Sequence, residues 1–137
     1  MANRRVSPAF INSLKEDEIF VFGSNLSGIH GAGAAKQAMK WGAEWCNPFG
    51  KQGQTYAIPT KDKHIRLTLP PHEIGLFVDM FILYAKSNPG LKFLVTEIGC
   101  GLAGLKARDV APLFKEAIEV HNIYLPRSFW HELQRMS

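Results

Sequence analysis

Two glycine-rich stretches carry the residues best suited to chemistry in this chain. The first is Phe22-Gly23-Ser24-Asn25-Leu26-Ser27-Gly28-Ile29-His30-Gly31-Ala32-Gly33-Ala34-Ala35, which follows a short apolar run and opens a helical pattern. The second is Gly99-Cys100-Gly101-Leu102-Ala103-Gly104-Leu105, which follows another apolar run. Glycine lets the backbone come close to a ligand, and the unpaired N–H groups at a helix start, with the positive end of its dipole, suit an anion such as phosphate. The glycine spacing matches neither the six-residue dinucleotide fingerprint nor the lysine-containing nucleotide loop. A connection that merely needs small residues therefore stands beside the phosphate-binding reading. Two such loops facing one cleft suggest a diphosphate, which neither supports alone.

The elements that must hold these loops alternate along the chain. Ile19 to Phe22 reads as a buried strand, and a helix follows from about Gly31 to Trp41. Residues 42–54 read as a surface excursion, and Thr55 to Ile58 as a second strand stopped by Pro59. Lys61 sits just past that strand, where ligands bind in open α/β sheets, and His64 to Leu69 reads as an extended piece at the edge. Apolar residues at three- and four-residue intervals predict a helix opened by Pro70-Pro71 and running to about Ser87, and Lys92 to Ile98 reads as a central strand. A helix from about Ala107 to His121 tolerates Pro112 in its first turns. Asn122 to Leu125 is the last strand, and Ser128 is positioned to cap a closing helix through Arg135. The leading residues 1–18 are polar, with a short helical turn around Pro8 to Leu14. This order predicts an α/β fold with a mainly parallel sheet and helices on both faces. Both glycine loops then lie at carboxyl ends of strands, on one edge.

Composition narrows the function classes. The 137 residues fit one domain, 1–137, with 46% hydrophobic and 20% charged residues, so the chain is globular rather than disordered. There is no run of about 18 apolar residues and no apolar stretch after Met1 to Arg5, so a cytoplasmic protein without a membrane partner is expected. Cys46 and Cys100 make neither a disulfide framework nor a four-ligand zinc site, and no metal or cofactor is expected. The 16 Lys plus Arg against 12 Asp plus Glu give a net charge of +4, which suits an anionic ligand. These basic residues are scattered, with only Lys61, Lys63 and Arg66 loosely grouped, and no nucleic-acid stripe stands out.

At this point the residues resemble the macrodomain family. The resemblance rests on the Gly31-Ala32-Gly33-Ala34-Ala35 helix start, on Tyr56-Ala57-Ile58-Pro59-Thr60-Lys61 and on Ile98-Gly99-Cys100-Gly101-Leu102, in the family's order from about Ile19 to Leu125. It is nearest to the branch containing the terminal ADP-ribose protein glycohydrolase. It implies a three-layer α/β/α fold around a mixed sheet and a cleft for ADP-ribose. In that cleft Gly23, Ser24, Asn25 and the backbone of His30, Gly31, Ala32, Gly33 and Ala34 would hold the distal ribose and its phosphate. Gly99, Cys100, Gly101, Leu102, Ala103 and Gly104 would wrap the diphosphate from the other side. In the glycohydrolase branch a lysine at the position of Lys61 attacks the anomeric carbon, assisted by an aspartate directly after Gly-Cys-Gly-Leu. Lys61 is present, but Ala103 stands where that aspartate would be.

Several residues bear on the gap. Glu97, and with it Asp62 or Asp109, is a candidate to supply the lost carboxylate. Phe129 or Trp130, just past Pro126, offers an aromatic to stack on a base in place of the family's missing adenine-reading aspartate, with core packing as the alternative. His30 is open to a phosphate contact, to proton transfer or to plain loop exposure. Cys100 is either a reactive or a packing thiol. Trp41, Trp45 and Phe49 belong either to a cleft wall or to the core. The chain is thus expected to bind ADP-ribose or a related nucleotide diphosphate. Either it hydrolyses ADP-ribosyl groups from a protein, a nucleic acid or a small molecule, or it is a non-catalytic module that senses or sequesters such a ligand. An ADP-ribosylated macromolecule is the implied partner.

Overall fold

The computed structural model describes residues 5–136; residues 1–4, at the head of the polar leading stretch, and residue 137 lie outside it. β1 (Glu18–Asn25) is the centre of a five-stranded sheet because its Ile19-Phe20-Val21-Phe22 run is apolar on both faces and needs cover on both. Ile19 and Val21 join one core cluster and Phe20 and Phe22 the other. β3 (Thr55–Lys61) and β4 (Lys92–Val95) flank β1 in parallel, and β5 (Ile123–Tyr124) pairs in parallel with β4. β2 (Gly50–Gln52) runs antiparallel to β3 at the edge, giving the order β2-β3-β1-β4-β5.

Helices cover both faces. α1 (Gly33–Ala38), prolonged by a 3-10 turn at Met39–Trp41, lays Ala35 and Ala38 against Phe20 and Phe22. On the other face α2 (Pro71–Lys86) brings Ile74, Val78, Phe81 and Ala85 into the larger cluster. Phe114 of a 3-10 segment, Ala111–Glu119, joins it there with Phe129 of α4 (Arg127–Met136). The fold is therefore α/β with a mostly parallel mixed sheet.

The departures from expectation have local causes. The helix expected over 107–121 is one α-turn, α3 (Ala107–Val110), followed by 3-10 winding. Pro112 lacks the N–H that would bond the carbonyl of Arg108. Pro59 does not stop its strand. β2 ends opposite Ala57, so beyond it β3 has an open side where proline is tolerated, and a register slip carries pairing from Ser24–Pro59 to Asn25–Lys61. Residues 64–69 are not an extended edge piece: Lys61 bridges Thr68 and closes a loop. The excursion over 42–54 contains β2, the strand expected to Ile98 ends at Val95, and no helical turn forms over 8–14. Ser128 lies inside the first turn of α4 rather than capping it. Among the described residues no helix is long and apolar enough to cross a membrane.

Candidate functional site

β1 and β4 run parallel side by side, so the loops that leave their carboxyl ends rise on one edge of the sheet. Between these loops lies a cavity of about 430 Å³, lined from the first by Gly23, Ser24, Asn25 and Gly31 to Ala35, and from the second by Gly99, Gly101, Leu102 and Ala103. Thr60 and Lys61 at the end of β3 complete it, with Ile29, Ile65, Thr96, Glu97 and Ile98. A second cavity of about 740 Å³ opens beside it. Ala34, Thr96, Glu97 and Gly101 line both, so the two are lobes of one cleft joined at a neck.

Hydrogen bonds fix the floor of the smaller lobe. Thr60 Oγ1 donates to the carbonyl of Ser24 (3.1 Å) and Thr96 Oγ1 to that of Val21 (2.8 Å), locking the strand ends together. Asn25 braces its own loop: Nδ2 donates to the carbonyl of Ile29 (2.8 Å), while Oδ1 accepts from Ser27 Oγ and the N–H of Ile29. Ser24 Oγ donates to the carbonyl of Pro48. α1 is preceded at its N-cap by Ala32, which has no side chain able to cap the helix's first N–H groups. These N–H groups border the cleft at Gly33 to Ala35.

Lys61 is half-buried at the mouth of this lobe, its carbonyl accepting from the N–H of Leu26. The loop that follows turns on Asp62, whose Oδ1 accepts from the N–H groups of Arg66 (2.9 Å) and Leu67. The Arg66 N–H, opposed by desolvation and helped by the Leu67 N–H and by His64, holds this carboxyl below its ordinary value of 3.8. The same turn puts Ile65 at φ 59°, a left-handed backbone that costs a β-branched residue about 1–3 kcal/mol.

The larger lobe is walled by the leading arm, Val6 to Asn12, and by Pro126 to Ser128. The arm is tied to the sheet edge by Ser7 N–H to Leu125 (2.9 Å), Leu125 N–H to Arg5 (3.1 Å) and Ser7 Oγ to Val95 (2.7 Å). The Arg5 guanidinium also donates to the carbonyls of Ile118, Val120 and Ile123. At the mouth of the lobe Phe10 is 86% exposed.

Three expectations require correction. Phe129 is wholly buried, its ring against Phe114, because it faces inward on α4, and it reaches neither lobe. His30 is 1% exposed, edge-on to Phe22, with Nε2 against the carbonyl of Asn47 at 3.2 Å. A carbonyl only accepts, so Nε2 carries the proton and the ring serves the loop's packing. Gly104 lies outside both linings and closes its turn by an N–H bond to Gly101. Cys100 does line the cleft, in its larger lobe, and of its two readings the packing thiol fits: burial, with Glu97 and Asp109 adding, pushes its thiol up to about 11, so it stays protonated at neutral pH.

Trp41 packs on Phe20, and Phe49 packs on Tyr56 and Phe77. Trp45 is exposed outside both lobes. Sequence reasoning missed Ile65 and the whole leading arm. The one available signal for the arm was Phe10, an aromatic in a polar stretch. No family model, curated protein or solved structure matches this chain.

Proposed function

We propose that this protein binds ADP-ribose, or a closely related nucleotide diphosphate, as a macrodomain-like module. The observation that carries the reading is the neck, where Ala34 and Gly101, from two small-residue loops at adjacent strand ends, meet between two lobes. A diphosphate suits such a neck, since it needs close backbone approach on both sides and its two ends need separate room. The base takes the larger lobe, where Phe10 replaces Phe129 as the aromatic available for stacking, and the terminal sugar takes the lobe that holds Lys61.

A second reading, binding without turnover, is favoured by one residue. Ala103 lines the sugar lobe where the resemblance calls for a carboxylate, and its carbonyl is occupied by Thr68 Oγ1. Glu97 is the nearest carboxylate by lining, but it sits at the neck rather than beside Ala103 in the loop.

Isothermal calorimetry with ADP-ribose tests the proposal. A Cβ at Gly101 would meet nothing within 4 Å, so Gly101→Leu fills the neck without disturbing the core. The variant is expected to melt close to wild type and to lose at least about tenfold in affinity, or about 1.4 kcal/mol. Absence of wild-type binding at millimolar ADP-ribose overturns the reading.

A further inference from the structure

We infer that the solvent face of α2 pairs with the same face of a second copy of this chain, the two helices running antiparallel. No residue of α2 lines either lobe, so the inference stands apart from the nucleotide reading.

α2 is apolar on both of its sides. Ile74, Val78, Phe81 and Ala85 fill the core, yet from Ile74 to Ala85 the only charged residue is Asp79. A helix with the core on one side ordinarily turns polar side chains to water on the other, and one that is apolar all round is normally buried. Here Leu76, Met80 and Leu83 face solvent, 64%, 51% and 62% exposed. Their intervals of four and three residues set them in one stripe, the kind of seam along which two helices pack. Apolar residues exposed singly are ordinary, but three in a row on one helix make a contiguous patch.

The charges beside the stripe choose the occupant. Asp79 and Lys86 lie on the same flank, both exposed, and among the described residues neither has an ion-pair partner. They stand about two turns apart, too far to meet on their own helix. Antiparallel packing about a two-fold axis at the level of Phe81 and Ile82 sets Met80 against the second copy's Leu83, and Leu83 against its Met80. In that register Asp79 comes beside the second copy's Lys86, and the symmetry repeats the pair in reverse. A parallel pairing would turn this flank towards the opposite one, where Phe77 and Tyr84 carry no charge, and would leave Asp79 and Lys86 unmatched. One helix from each copy makes a small interface, at or below about 1,200 Å², so weak association is expected, with a Kd of about 10 to 100 μM.

Sedimentation equilibrium on the full chain at low salt, from micromolar to millimolar concentration, tests this. The average mass of wild type is expected to rise from that of one chain, 15.3 kDa, towards twice that value. Met80→Glu, at a position already half in water, should fold and stay monomeric. Asp79→Lys and Lys86→Asp should each weaken self-association by at least about tenfold, since each sets two like-charged pairs together. Mixed in equal amounts, these two variants should associate as wild type does, because each offers the charge the other lacks. Such a rescue cannot arise within one chain, and melting curves check that all three variants fold. Association that survives Met80→Glu, or a mixture that fails to recover, overturns the inference. So does wild type that stays monomeric at millimolar concentration, which would leave the stripe to a different protein.

Discussion

Ser128 on α4 donates its hydroxyl proton to Oε2 of Glu97 across 2.6 Å. This contact holds an exposed carboxylate at the neck, the place assigned above to a diphosphate. Like charges so close oppose each other, so Glu97→Gln should strengthen ADP-ribose binding by about two- to fivefold at low salt. The gain should shrink as ionic strength rises. A loss of affinity would instead mean that Glu97 accepts a hydrogen bond from the ligand.

The first glycine loop depends on Gly28, where φ is 71° and an added Cβ would lie 2.4 Å from the backbone nitrogen of Asn47. Gly28→Ala should therefore cost about 3 kcal/mol or more, lowering Tm by about 10 °C. Gly50→Ala is the matched control. It shares a positive φ but meets nothing within 4 Å, so only the backbone cost of about 1 kcal/mol applies.

Catalysis is tested by restoring a group. Wild type should hydrolyse a terminal ADP-ribosyl ester slowly at best, since a general acid-base group is worth about 10² to 10⁴ in rate. Ala103→Asp should raise product release, and adding Lys61→Ala should abolish the gain. Turnover by wild type that survives Lys61→Ala would place the chemistry elsewhere in the cleft.

Asp62 gives the lobe an acid limit. Its folded value lies below 3.8, so the loop order it provides is fully present above that value and is lost as pH falls through the depressed one. Amide exchange at Arg66 and Leu67 should stay slow, relative to the intrinsic rate, down to about pH 4 and quicken below it. Asp62→Asn should show the faster exchange already at neutral pH.

The two thiols should separate cleanly under alkylation. Cys46 is exposed, whereas Cys100 is partly buried with its thiol pushed up to about 11. Mass spectrometry after mild iodoacetamide treatment at neutral pH should find Cys46 modified and Cys100 largely intact. Comparable labelling at both would show that the larger lobe opens.

Much of the scaffold was legible because the signals were local. The Ile19 to Phe22 run, apolar throughout, marks a strand covered on both faces, and the spacing of Ile74, Val78, Phe81 and Ala85 marks α2. What stayed hidden was tertiary in origin. Phe129 and Phe10 both lie among mixed polar and apolar neighbours, and only tertiary packing, that of α4 for Phe129 and of the leading arm for Phe10, decides that one is core and the other faces solvent. Ile65 was hidden for another reason: its left-handed backbone depends on Asp62 and on the Lys61–Thr68 bridge, not on its own type. Pro59 misled because the rule against proline in strands lapses where the neighbouring strand has already ended.

The arm that walls the larger lobe also bears on how this chain behaves among copies of itself. An open strand edge invites another chain to add to it, the first step towards aggregation. β5 contributes just two residues to the sheet, and at its end Leu125 is already bonded through its N–H to Arg5 and through its carbonyl to Ser7. At the opposite edge β2 is three residues long and carries Lys51 in its middle. Neither outer strand offers a long, flat row of unpaired backbone groups, and at the β5 margin the guard against edge-to-edge growth is a segment whose other face shapes the cleft.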